Sequence, residues 1–93
     1  MEPAFVWKSS SRFVELYLVR TGWLVLWGRY EEPGGKKWLI GSRIYPDLAG
    51  ARRRIADAVM ELTRCPTLAD EALILLSRAV LPDHHPETLP PPL

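Results

Sequence analysis

The chain has one cysteine, two histidines and no apolar run near the length a membrane span needs, which is roughly 18 to 20 residues. With Cys65 alone no internal disulfide can form, and a lone thiol suits a reducing compartment better than a secreted one. Residues 1–12 lack the basic start and following apolar stretch of a secretory signal. The expectation is a cytoplasmic protein. Both histidines, His84 and His85, lie side by side in a proline-rich stretch, where nothing holds an imidazole at hydrogen-bond distance from a nucleophile. Asp83, His84, His85 and Glu87 can chelate a divalent metal only weakly, because a structural site needs placed ligands in a defined geometry. Cys65 has no histidine elsewhere to activate it and reads as a small apolar filler at a helix end. Gly34-Gly35-Lys36-Lys37 lacks both the spacing of a phosphate-binding loop and a following helix to supply its dipole. Glu31 and Glu32 sit in a turn, as solvated carboxylates. These absences argue against an enzyme: no catalytic residue, no cofactor, no metal and no small-molecule substrate are expected.

What the chain does have is a core. It is 93 residues long, 47% hydrophobic and 10% aromatic, too apolar to be disordered and short enough to be one domain. At this size only roughly two-thirds of the unfolded surface is buried on folding, so stability is marginal unless a partner adds to it. The formal net charge of +1 conceals an asymmetry. Residues 1–64 carry eleven Lys/Arg against seven Asp/Glu, and residues 65–93 carry one against four. The first part is therefore mildly basic and the second acidic.

Three β-type runs organise residues 13–45. Residues 12–20 and 23–30 flank Thr21-Gly22, a two-residue loop in which glycine can take the positive φ of a tight hairpin. Pro33-Gly34 marks a type II turn that returns the chain into residues 37–45. Placing the first turn at Thr21-Gly22 sets Leu18 opposite Val25 and Leu16 opposite Trp27; a symmetric second loop sets Arg29 opposite Trp38 and Trp27 opposite Ile40. Side chains alternate along a strand. One face then carries Val14, Leu16, Leu18, Trp23, Val25, Trp27, Trp38, Ile40 and Ile44 and is the core side. The other carries Phe13, Glu15, Tyr17, Val19, Leu24, Leu26, Gly28, Tyr30, Leu39, Gly41, Arg43 and Tyr45, too apolar for a plain solvent face.

Tyr45-Pro46 ends the third strand, since proline has no N–H for the ladder. Asp47 is an N-cap for a helix to about Arg64, with Leu48, Ala51, Ile55, Ala58, Val59 and Leu62 on one stripe. Gly50 in its first turn implies either fraying or a close neighbour. Cys65-Pro66 breaks the helix, and Thr67 with Asp70 starts a second one, over residues 68–80, whose apolar residues run nearly all the way round. Such a helix is buried on more than one side. Upstream, Phe5-Val6-Trp7 is an apolar triplet expected to dock, as an edge strand or a plug on a sheet face, with Ser9-Ser10-Ser11 as a flexible joint. Downstream, residues 81–93 hold five of the nine prolines and form an extended tail. The expected fold is α+β: a three-stranded antiparallel meander followed by two α-helices, with 1–12 as a flexible or docking segment, 13–80 as the single domain and 81–93 as a proline-rich tail.

Trp27-Gly28-Arg29, followed by Gly34 or Gly35 and an amphipathic helix, resembles the WGR domain of some DNA-break-sensing proteins. The resemblance spans residues 13–64 and rests on that tripeptide; it implies that Trp27 and Arg29 contact nucleic acid. Arg43-Ile44-Tyr45-Pro46-Asp47-Leu48, then helix, break and helix, is similar in order to ribbon-helix-helix repressors, in which a strand from each monomer of a dimer enters the major groove. Here that strand already has an antiparallel neighbour in the meander.

Two functions are consistent with these features. The first is a small non-catalytic interaction module, self-associating as a homodimer or homo-oligomer or acting as an accessory subunit of a larger assembly. Its partner-binding residues would be Tyr17, Tyr30, Arg43 and Tyr45 on the second sheet face, with Leu73 and Ile74 on the second helix. The second is nucleic-acid binding by the basic and aromatic sheet, through Trp27, Arg29, Lys36, Lys37 and Arg43.

Overall fold

The computed structural model describes residues 2–31 and 35–81. The Pro33-Gly34 turn and the tail from residue 82 onward lie outside the described residues. Four strands, β1 (Phe5–Ser9), β2 (Arg12–Val19), β3 (Gly22–Tyr30) and β4 (Lys37–Tyr45), precede two helices, α1 (Leu48–Thr63) and α2 (Pro66–Arg78). The strands form one antiparallel sheet in the order β1-β2-β3-β4.

The α+β class and the two helices match expectation; the three-stranded meander does not. Phe5-Val6-Trp7 pairs with Leu16, Glu15 and Val14 as a fourth strand at the sheet edge. The turn that joins it is Ser10-Ser11, with Ser10 at φ 53°. That turn carries no glycine, proline or asparagine, and the serines of the expected joint are the only local signal for it. The edge strand gains its stability from burial: Phe5 and Trp7 enter the core, while Val6 between them stays partly exposed.

The first hairpin closes through Arg20-Thr21, with Val19 opposite Gly22, Leu18 opposite Trp23 and Val14 opposite Trp27. This is two residues away from the register that Thr21-Gly22 would give. Because side chains repeat every second residue, a two-residue slip leaves both faces of β2 and β3 unchanged. Gly22 is pinned there for another reason: at φ 147°, a Cβ on it would stand 2.0 Å from the Tyr45 carbonyl oxygen.

In β4 the facing differs from expectation by one residue. Arg29 does oppose Trp38, but Gly28 opposes Leu39 and Trp27 opposes Gly41, so Ile40 is an unpaired bulge. Past the bulge the faces exchange. Gly41, Arg43 and Tyr45 lie on the helix side, and Ile44, opposite Leu24, lies on the open side.

The core is a single cluster between the sheet and the helices. Phe5, Trp7, Val14, Leu16, Trp23, Val25 and Trp27 meet Ala51, Ile55, Ala58, Val59 and Leu62 of α1 and Ala69, Ala72 and Leu76 of α2. Full burial of each large side chain contributes about 1.5–3 kcal/mol. α1 starts as its sequence indicates: the Asp47 carboxylate accepts from the Gly50 N–H at 2.9 Å. It stops at Arg64, whose left-handed backbone donates to the Met60 carbonyl at 2.7 Å. The Tyr45 ring packs so closely on Gly50 that a Cβ would come within 2.8 Å of it, which accounts for glycine in a first helical turn.

α2 begins two residues before the expected start, with Cys65 as N-cap and Pro66 as its first residue. Proline is preset for that place and has no N–H to satisfy. α2 packs on α1, and its buried residues are Ala69, Ala72 and Leu76. Ile74 and Leu75 are 48% and 50% exposed. The apolar circumference of this helix is thus covered on one side only within the described residues.

Candidate interaction surface

Among the described residues, the surfaces of the sheet that bear on binding are the open face, the outer edge of β4, and the end of the helix face beyond α1.

On the open face the central group is Glu15, which is 6% exposed. Burying a carboxylate needs compensation, and here Lys37 Nζ lies 2.7 Å from Oε2 while the Tyr17 hydroxyl donates to Oε1 at 3.3 Å. Burial first, and then the Glu15 carboxylate, push the Tyr17 hydroxyl above its ordinary value of 10.0, with Lys37 opposing. Lys37 also stands 5.1 Å from the centroid of Phe13, a buried ring opposite Gly28. Tyr30, half-buried, donates its hydroxyl to the Ser10 carbonyl, with Lys8 5.7 Å from its ring centroid. This half of the open face is therefore satisfied by its own polar groups. Leu39 and Ile44, at 58% and 50% exposure, are not.

β4 is the last strand of the sheet, with no strand beyond it among the described residues. Trp38, Leu39, Ile40 and Ile44 are all at least half exposed. No charged residue interrupts residues 38–42. Edge strands are ordinarily guarded by charge, proline, shortness or a bulge. β1 is short and carries Lys8; β4 has nine residues and a single bulge.

Beyond α1, the helix face ends in a row formed by Arg12, Arg29 and Trp38, paired in register across β2, β3 and β4. Lys36 Nζ lies 4.6 Å from the Trp38 ring.

These positions divide the residues expected to act together. Tyr17 and Tyr30 are on the open face, held by Glu15 and Ser10. Arg43 and Tyr45 are on the opposite face, the guanidinium 5.7 Å from the ring and the ring itself packed against the core. Leu73 packs against the core, whereas Ile74 is exposed. Among the basic and aromatic set, Trp27 is 9% exposed, lies over Gly41 and is capped by Arg54 at 4.3 Å, so its ring is occupied from within the chain. Arg54 is held in turn by Glu61 at 2.7 Å. Lys37 is on the open face in its ion pair, leaving Arg29 and Lys36 gathered about Trp38. Leu39, Leu75, Glu71 and Arg78 stand exposed outside the expected binding set. A signal for the first existed: Trp38-Leu39-Ile40 is an apolar triplet where alternation would place a polar residue.

No protein-family model matches the chain, and neither a curated protein nor a solved structure does.

Proposed function

We propose that the protein is a small non-catalytic interaction module, self-associating or seated as an accessory subunit in a larger assembly, and that it takes up an extended partner strand along β4. The observation that carries this reading is the edge itself: a last strand that, among the described residues, pairs with β3 alone and exposes Trp38, Leu39, Ile40 and Ile44. An added strand would satisfy the backbone row and cover those side chains, with main-chain bonds supplying affinity and the side chains selectivity. Covering the exposed half of each contributes about 1 kcal/mol. The bulge leaves residues 41–45 as the longest regular stretch of the edge, and about five residues is an ordinary strand length.

The test is mass in solution of the full chain, with any stoichiometric co-purifying protein, beside a variant carrying Leu39→Lys and Ile44→Lys. Both side chains are on the surface, so the fold should be kept to within about 0.5 kcal/mol, while partner recovery or the larger mass is lost. A wild-type chain that stays at 10.6 kDa and alone, or a variant that assembles as the wild type does, would refute it.

A second reading has its own observation. Trp38 is a half-exposed ring with Lys36 over it and Arg29 beside it, the combination by which sheets stack and neutralise single-stranded nucleic acid. We propose it as the alternative; the dependence of oligonucleotide retention on salt separates the two.

A further inference from the structure

The exposed side of α2 is a four-residue stripe. Glu71, Ile74, Leu75 and Arg78 line one shallow groove, and their spacing of three, four and seven residues puts them on one face of a helix. Ile74 and Leu75 are half exposed, and both charged residues are exposed. Neither Glu71 nor Arg78 is in an ion pair among the described residues.

The order of these residues is a palindrome of chemistry. The point midway between Ile74 and Leu75 is also midway between Glu71 and Arg78. When a second α2 lies antiparallel across the first with a twofold axis through that point, Ile74 meets the partner's Leu75 and Glu71 meets the partner's Arg78, each contact made twice. That is the condition for an isologous interface, in which one patch is its own complement. A stripe with acid at both ends, or with the acid inside the apolar pair, could not meet it.

We infer that α2 is a self-docking surface for a second copy of this chain, paired antiparallel about Ile74 and Leu75. This goes beyond the strand-addition reading, because it uses a different element and names its occupant; it rests on that reading only in treating the chain as an interaction module. α2 has 13 residues, a length of about 20 Å. One face of it buries an area at the low end of specific interfaces, so the dimer is weak, with Kd on the order of 10 µM.

The experiment is sedimentation equilibrium of the full chain as wild type, as Glu71→Arg, as Arg78→Glu, and as an equimolar mixture of those two variants. Each single variant places like charges opposite each other at both ends of the contact and should raise Kd at least about tenfold. In the mixture one copy carries two arginines and the other two glutamates at these positions, so both pairs are restored and a heterodimer should form with Kd within about threefold of wild type. Misfolding cannot produce that recovery, and circular dichroism of each variant checks the fold independently. A wild type that is monomeric throughout, single variants that dimerise like wild type, or a mixture no tighter than its components would each overturn the inference. The Leu39→Lys and Ile44→Lys chain completes the set: its failure to assemble, with the charge variants unaffected, would overturn self-docking by α2 while leaving strand addition at β4 intact.

Discussion

Gly41 carries more of the fold than its lack of a side chain suggests. The Trp27 indole lies directly on it, and a Cβ there would meet ring carbon Cζ2 at 2.2 Å. That ring cannot lift away freely, because Arg54 is stacked on it at 4.3 Å and is itself tied to Glu61. Gly41→Ala should therefore cost about 2–3 kcal/mol, the usual penalty of overpacking, and lower Tm by about 10 °C or more, as read by urea and thermal unfolding. A loss below about 0.5 kcal/mol would show that the indole adapts without resistance. Gly35 gives the contrast: nothing lies within 4 Å of a Cβ placed there, and what restricts it is its φ of 72°. Burial of the Trp27 indole under Arg54 is a contact that its local sequence does not reveal. The Trp27-Gly28-Arg29 tripeptide is legible in the sequence, but the guanidinium that covers its indole comes from α1, 27 positions later.

Among the elements, α2 has the weaker start. Asp47 caps α1 with its carboxylate, whereas Cys65 at the equivalent place makes no side-chain hydrogen bond to the helix. Replacing it by serine supplies an oxygen acceptor for the first N–H groups, so Cys65→Ser should raise stability by about 1 kcal/mol in chemical denaturation; no gain would mean that the Pro66 turn holds the side chain away from those donors. How far each element could be read from the sequence follows from its period. The stripe of α1 was legible because its apolar residues, Ala51, Ile55, Ala58, Val59 and Leu62, share one face. The faces of β2 and β3 were legible although their register was displaced, since an even slip preserves facing. The facing of β4 was not. Its bulge sits where the Trp38 carbonyl lies so near Gly28 that a Cβ there would be 2.1 Å from it, a relation between two strands that neither strand encodes alone. The expected register puts Ile44 on the core side, whereas past the bulge it lies opposite Leu24 on the open face and is half exposed.

Across the whole molecule the charge is uneven, and that bears on the alternative function. The basic residues 1–64 include Arg12, Arg29 and Lys36 at the Trp38 end of the sheet, while Lys37 is neutralised by Glu15 on the other side. Few phosphates could be engaged at once. If the sheet binds single-stranded oligonucleotides, affinity should fall with a logarithmic salt slope of about −2, near 0.7 per contacted phosphate, and Arg29→Ala should flatten the slope without lowering Tm. No retention at low salt would remove nucleic acid from consideration and leave the exposed edge and helix to protein partners. Among the described residues no helix is long and apolar enough to cross a membrane. The apolar surface at Leu39, Ile40, Ile44, Ile74 and Leu75 thus belongs to two separate elements, one a strand edge and one a helix face, and a chain using both would have two valences rather than one.

The bulge at Ile40 makes the length of β4 independent of its facing. Gly28 already opposes Leu39 and Trp27 already opposes Gly41, so excising Ile40 would bring two established pairs into sequence and turn no side chain over. Ile40 is thus the residue of β4 with no partner across the β3–β4 ladder, and the bend that such a bulge gives a strand falls on the outer edge of the sheet.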